Sequence, residues 1–120
     1  MTREEWKEQI TGSCRTVGTY RPEFDPVIDT LAGILEKRDK TEDQFQRSGG
    51  NAVVTHTNKG GNANLAKNPL LVVIGELNAQ ALAYWRDLGL TPSGLRKLNE
   101  QALQQRKSSA LAEVLKELGG

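Results

Sequence analysis

Few side chains in this sequence are of types that do chemistry, and each has to be weighed against an ordinary structural role. Cys14 is the only cysteine, so one chain can form neither an internal disulfide nor a cysteine-rich zinc site. It falls on an apolar stripe, where a thiol packs as a small hydrophobe rather than acting as a nucleophile. His56 is the only histidine, and without a second imidazole or a nearby thiolate it reads as a solvated loop residue rather than a metal ligand. Asp39, Glu42 and Asp43 share a helix face and could gather a divalent cation. Glu36 with Lys40 and Asp43 with Arg47 have i,i+4 spacing, however, which reads as ion pairing on a solvated surface. No G-x-x-x-x-G-K-[ST] phosphate loop occurs in the sequence, which argues against ATP hydrolysis by this chain. The reading is of a non-enzymatic protein with no catalytic residue, no metal site and no cofactor.

Two stretches have the makings of binding elements. In His56-Thr57-Asn58-Lys59-Gly60-Gly61-Asn62 the glycines would let backbone N–H groups approach phosphates, with Lys59 and Lys67 supplying charge; a plain flexible loop fits the same residues. Leu88-Gly89-Leu90-Thr91-Pro92-Ser93-Gly94-Leu95-Arg96-Lys97 reads as helix, tight glycine turn, helix. Thr91, Ser93, Arg96 and Lys97 stand where a recognition helix would present polar groups to DNA, and a structural helix corner is the alternative. Arg106 and Lys107 extend the basic character and could track a phosphate backbone without reading bases. The DNA-binding candidates are therefore Lys59, Lys67, Arg96, Lys97, Arg106 and Lys107.

These stretches sit in a chain of 120 residues, a size that buries roughly two thirds of its unfolded surface in a single small core. Hydrophobic residues make up 37% and charged residues 26%, an ordinary mixture for a folded soluble protein. Net charge is +1, too near zero for the general basic surface of an autonomous DNA binder. The charge is segregated, though. Residues 23–47 carry seven acids against four bases, 48–68 carry Lys59 and Lys67 with no acid, and 92–118 carry five bases against three acids. Many copies could sum that local excess into a strong field. No stretch approaches the roughly 18 apolar residues of a membrane span, and the N-terminus lacks an apolar run. A cytoplasmic protein with no membrane partner is expected.

Helical periodicity dominates the elements that must position these groups. Thr2 and Glu5 have capping-box spacing, and Trp6, Ile10, Cys14 and Val17 form one stripe before Gly18. A second helix starts near Pro22 or Asp25-Pro26 and runs towards Arg47, with Phe24, Val27, Ile28, Leu31, Ile34 and Leu35 on one face. Residues 48–67 show no sustained period and read as a long loop with room for one short strand around Val53–Thr57. Twenty residues is long for a structureless connection, which points to a functional role or to ordering by a partner. Asn68-Pro69 then caps a third helix whose face is Leu70, Ile74, Leu77, Ala81, Leu82, Trp85 and Leu88. Gly89 ends it and Thr91-Pro92 caps a fourth, with Leu95, Leu98, Ala102 and Leu103 on a first face and Leu111, Val114, Leu115 and Leu118 on a second.

The expected fold is all-α: an antiparallel long-helix hairpin core with a short N-terminal helix and a C-terminal helix, oligomeric. The expected division is an N-terminal helical segment over 1–21, a helical core and oligomerisation domain over 22–99 with the long loop 48–67, and a C-terminal helical tail over 100–120. A single hairpin leaves apolar surface over, and at about 25 cal/mol per Å² such surface drives association. Phe24, Ile28, Leu31, Leu35, Leu70, Ile74, Leu77, Leu82 and Trp85 are the candidates for contacts between copies.

Asn68-Pro69-Leu70 followed by an amphipathic helix, and Tyr84-Trp85-Arg86-Asp87-Leu88-Gly89-Leu90-Thr91-Pro92-Ser93, resemble the phage terminase small subunit family. The GLTPS corner is the most specific piece. Tyr20, the helix Asp25–Leu35 and His56-Thr57-Asn58-Lys59 add to the likeness, which covers roughly residues 20–99. It implies a helical subunit that assembles into a homo-oligomeric ring, recognises viral double-stranded DNA at a packaging start, and hands it to a terminase large subunit holding the ATPase and nuclease activities. Many members carry a separate N-terminal helix-turn-helix domain, whereas only the segment Thr2–Val17 precedes the core here. Two readings from other classes stay open: a dimeric helix-turn-helix regulator delivering Arg96 and Lys97 into a major groove, and a protein-only helical scaffold that never touches nucleic acid.

Overall fold

The computed structural model describes residues 1–119. Helix α1 (Arg3–Val17) begins at a complete capping box: Thr2 Oγ1 accepts from the Glu5 N–H, and Glu5 Oε1 accepts from the Thr2 N–H, both at 3.1 Å. A 3₁₀ turn, Pro22–Phe24, leads into helix α2 (Asp25–Arg47), which at 1.5 Å per residue is about 34 Å long. Helix α3 (Pro69–Asp87) starts at Asn68 as expected, the Asn68 side chain accepting from the Leu70 N–H at 3.0 Å. Helix α4 (Pro92–Gly119) is a single uninterrupted helix.

Within 48–67 the short strand expected around Val53–Thr57 is present, but it has a partner strand where only loop was expected. Strands β1 (Val53–Thr57) and β2 (Ala63–Lys67) pair antiparallel, Val53 opposite Lys67 and Thr57 opposite Ala63. The fold is thus mostly helical with a small two-stranded sheet, and the all-α expectation is corrected to that extent. The physical reason for the miss is visible in β2: Ala-Asn-Leu-Ala-Lys has low strand propensity and no apolar alternation. Pairing comes from the turn instead. Asn58 Oδ1 accepts from the N–H groups of Gly60 and Asn62, and the Asn58 N–H donates to the Asn62 carbonyl, closing the ribbon. At its base Asn68, itself buried, donates from Nδ2 to the Asn51 carbonyl and from its backbone to the Ala52 carbonyl. One residue therefore caps α3 and ties the ribbon to it.

The core lies where the first half of α2 meets the second half of α3 under α1. Ile10 and Cys14 of α1, Ile28, Leu31, Ala32 and Leu35 of α2, Ala81 of α3 and Leu88 at its C-terminus form one buried cluster, with Trp6, Tyr84, Trp85 and Leu90 packed on its margin. The indoles of Trp6 and Trp85 meet edge to face at 6.5 Å between centroids. Thr19 Oγ1 donates to the Leu88 carbonyl at 2.8 Å, fastening the end of α1 to the end of α3. Because the core occupies only these halves, the ribbon projects from one end of the three-helix body and α4 from the other, and the molecule measures 85 × 28 × 21 Å.

The α3–α4 corner is built as its residues suggested. Gly89 has φ +73°, a left-handed conformation that costs a residue with a Cβ strain. Its N–H donates to the Arg86 carbonyl and that of Leu90 to Trp85, the paired stop of a Schellman motif. Thr91 Oγ1 then accepts from the Gly94 N–H at 3.0 Å and opens α4. Gly94 lies so close to α3 that a Cβ there would collide with the Arg86 backbone carbonyl oxygen. Gly94→Ala should accordingly cost about 1–3 kcal/mol, the usual range for overpacking, measured as a shift of the urea midpoint; an unchanged midpoint would show that the corner yields freely.

Candidate functional site

The six basic candidates fall into separate groups. Lys59 sits in the turn of the β ribbon and Lys67 at its base, opposite Val53, roughly 15 Å apart along the strand at about 3.4 Å per residue. Both are exposed, and residues 48–68 contain no carboxylate to offset them. The turn is not a phosphate cradle, however: the N–H groups of Gly60 and Asn62 are spent on Asn58 Oδ1, and that of Gly61 on the Asn58 carbonyl. What the ribbon offers a polyanion is its lysine side chains. His56 is exposed on β1 opposite Asn64.

Arg96, Lys97, Arg106 and Lys107 are all exposed on α4. At 100° per residue, Arg96 and Lys107 lie roughly 20° apart around the axis and about 16 Å along it. Glu100 lies on the same side between them and weakens the local field. Of the polar groups expected to face DNA at the corner, Thr91 is committed to capping, whereas Ser93, Arg96 and Lys97 remain exposed. The two basic groups stand at opposite ends of α3, about 28 Å apart along its 19 residues. A single chain does not gather them into one patch.

The apolar candidates also divide. Ile28, Leu31 and Leu35 have at most 1% of their surface exposed and Ile74 has 6%. The chain's own α1–α2–α3 packing consumes them, so they are unavailable to another copy. Leu70, Leu77 and Trp85 are half-buried, while Phe24 and Leu82 are exposed. Leu82 and Trp85 help line an open groove of about 1120 Å³ between α1, α3 and the start of α4, together with Val17, Leu90, Pro92 and Leu95. Val72 and Val73 near the start of α3, and Leu103, Leu111, Val114, Leu115 and Leu118 along α4, are further exposed apolar side chains. For α3 a signal existed: five consecutive apolar residues, Leu70–Ile74, exceed what one helix face can bury.

Asp25, Asp29, Glu36, Asp39 and Asp43 of α2 pair within the chain. Asp39 Oδ2 accepts from Trp6 Nε1 at 2.7 Å and from the N-terminal amine at 3.3 Å, and Oδ1 accepts from Arg38 at 3.2 Å. Partial burial pushes its carboxyl up, but these hydrogen bonds more than offset it, and its pKa lies below the usual carboxylate value. Asp29 is likewise lowered, chiefly by the hydrogen bond from Arg3. Glu36–Lys40 and Asp43–Arg47 form the i,i+4 pairs read from spacing, at 3.7 and 2.9 Å. Cys14 is buried, and desolvation raises its thiol pKa, which suits packing rather than nucleophilic attack. A depressed carboxylate pKa stabilises the fold above its unfolded value near 4 and ceases to do so as pH falls through the folded value. Asp39→Asn should therefore cost about 1 kcal/mol at neutral pH, the difference between charged and neutral acceptance. In chemical unfolding at stepped pH the gap from wild type should close below about pH 4; a constant gap would mean that the charge contributes nothing.

The model of the phage terminase small subunit family matches residues 2–105, which takes in α1, α2, the β ribbon, α3 and the first half of α4. The chain belongs to that family. The match is wider than the stretch 20–99 that carries the resemblance in the motifs, because it includes α1. Comparison with curated proteins and with solved structures gave no match. Membership as a terminase small subunit supports a role in phage DNA packaging. Among the described residues of this small subunit, no helix is long and apolar enough to cross a membrane.

Proposed function

We propose that this terminase small subunit is a non-catalytic, ring-forming adaptor that binds viral double-stranded DNA and directs its packaging by a separate large subunit holding the ATPase and nuclease activities. The observation that carries the reading is family membership over 2–105. The exposed lysines of the ribbon and the exposed bases of α4 support it, as does the apolar surface left uncovered on α3 and α4. In this reading affinity for DNA is a property of the assembly. One copy offers a few separated cations on a nearly neutral chain, and a ring sums them around a common duplex. The three-helix body with the ribbon belongs to assembly and DNA contact, and residues 100–119 extend from it as a tail.

Two measurements on the purified protein test this. Light scattering at micromolar concentration should give a mass many times 13.2 kDa. Binding to viral duplex should weaken linearly in log–log form as salt rises. A dimer with tight, base-specific binding would replace the adaptor with a helix-turn-helix regulator. Salt-insensitive or absent duplex binding would leave a protein-only scaffold, and a strict monomer would remove the summed affinity altogether.

A further inference from the structure

We infer that the β ribbon enters the major groove of duplex DNA and turns the face carrying His56 and Asn64 towards the edges of the bases. The inference rests on the reading of the chain as a DNA-binding subunit, and names the element and the groove through which it would bind.

The ribbon is not part of the chain's own core. Of the five residues in each strand, only Val54 of β1 is not exposed. A two-stranded hairpin with neither face covered is marginal in water, so a ligand lying against it would also stabilise it. The charge of the ribbon says which kind of ligand. Residues 48–68 contain Lys59, Lys67 and no carboxylate, although the chain as a whole has 15 acidic residues. A polyanion is the complementary partner. The basic stretch of α4, by contrast, is interrupted by Glu100.

Size points to the groove. The major groove of B-form DNA, about 12 Å wide, admits a two-stranded ribbon, whereas the minor groove, at about 6 Å, does not. Strands of five residues extend about 17 Å, twice the major groove's depth of about 8.5 Å. The turn can therefore reach the groove floor while the helical body stays outside.

Register then sorts the side chains. Val53 with Lys67, Thr55 with Leu65 and Thr57 with Ala63 share one face, and Val54 with Ala66 and His56 with Asn64 share the other. The second face thus sets an imidazole directly opposite an amide, both exposed. No hydrogen bond among the described residues engages either side chain; the turn is held by Asn58 instead. An amide offers a donor and an acceptor together, the complement of adenine N7 and N6 in the major groove, and His56 adds a second donor and acceptor beside it. Lys59 at the turn and Lys67 at the base stand at the two ends of the ribbon, where flanking phosphates would lie.

Groove-selective probes test the inference. A viral duplex is compared with the same sequence carrying glucosylated 5-hydroxymethylcytosine, whose sugar fills the major groove, and with the plain duplex bearing netropsin in its minor groove. The wild-type chain should bind the glucosylated duplex roughly tenfold more weakly, the size of a lost base contact, and should ignore netropsin. His56→Ala with Asn64→Ala should bring affinity for the plain duplex down to that for the glucosylated one. Helicity and salt slope should stay as in the wild type, since neither side chain is a fixed cation. Leu65→Asp, on the ribbon's other face, should keep the wild-type mass in light scattering. Equal wild-type affinity for the plain and glucosylated duplexes, or displacement by netropsin, overturns the groove contact and leaves the adaptor reading standing. If Leu65→Asp splits the assembly while the double variant binds as wild type, the ribbon is a contact between copies and the inference falls. Absence of duplex binding overturns both readings.

Discussion

Changing Lys59, Lys67, Arg96 and Lys97 together to alanine should weaken binding to every duplex sequence alike, by roughly 10²–10³-fold at physiological salt. The size follows from counterion release. Each neutralised phosphate contributes a slope of about −0.9 in log K against log salt, which at 0.15 M is roughly a fivefold weakening for every cation taken away. The slope itself should become shallower by about 0.9 for each phosphate that is no longer neutralised. The structure divides the four into two pairs, because the ribbon and the start of α4 stand at opposite ends of α3. The Lys59/Lys67 and Arg96/Lys97 double variants should therefore lose affinity independently, with losses that add on a logarithmic scale. None of the four side chains is in the buried cluster, so helicity and unfolding midpoint should not move. Titrations at several salt concentrations decide the matter. An unchanged slope in the quadruple variant would mean that these cations do not meet phosphate, and weakening for one sequence only would shift the reading towards base recognition.

Leu31→Ala should destabilise the fold itself, by about 2–5 kcal/mol. Leu31 is wholly buried in the cluster between α1, α2 and α3, among Ile10, Ile28, Leu35 and Leu88, and helices close-packed on three sides cannot collapse into the space that a lost isobutyl group leaves. In a domain of this size such a loss is a large share of total stability. This outcome separates the structure's account of Leu31 from the one its periodicity suggests. A residue at an interface between copies would, on truncation, split the assembly while leaving each copy folded. A residue in the copy's own core lowers the urea midpoint of the protein at every concentration. A variant that keeps the wild-type midpoint but dissociates would return Leu31 to the interface. Leu82→Asp is the opposite case, expected to act on association and to spare the fold, since about half of that side chain is already exposed.

Local signals in the sequence determined most of the helical frame, because each is decided within a few residues. Thr2 and Glu5 cap α1, Asn68 caps α3, and Gly89 with Thr91 makes the corner, all as their types and spacing indicate. The family likeness was legible for the same reason: the corner Leu88–Ser93 is a short, contiguous run. Of the ribbon only β1 was legible, since β2 has little preference for a strand and the pairing depends on the Asn58 turn and the Asn68 tether at its base. Periodicity identified the apolar faces of α2 and α3 and their pairing as a hairpin, but could not divide their residues between the chain's own core and its surface. Only the tertiary structure decided which residues α1 closes over, through Trp6, Ile10 and Cys14, and that Phe24, Val72, Val73, Leu82 and the leucines of α4's second half stay exposed. The types of the basic residues were plain in the sequence. Their division between the two ends of α3 was implicit in chain order, because Lys67 precedes that straight helix and Arg96 follows it.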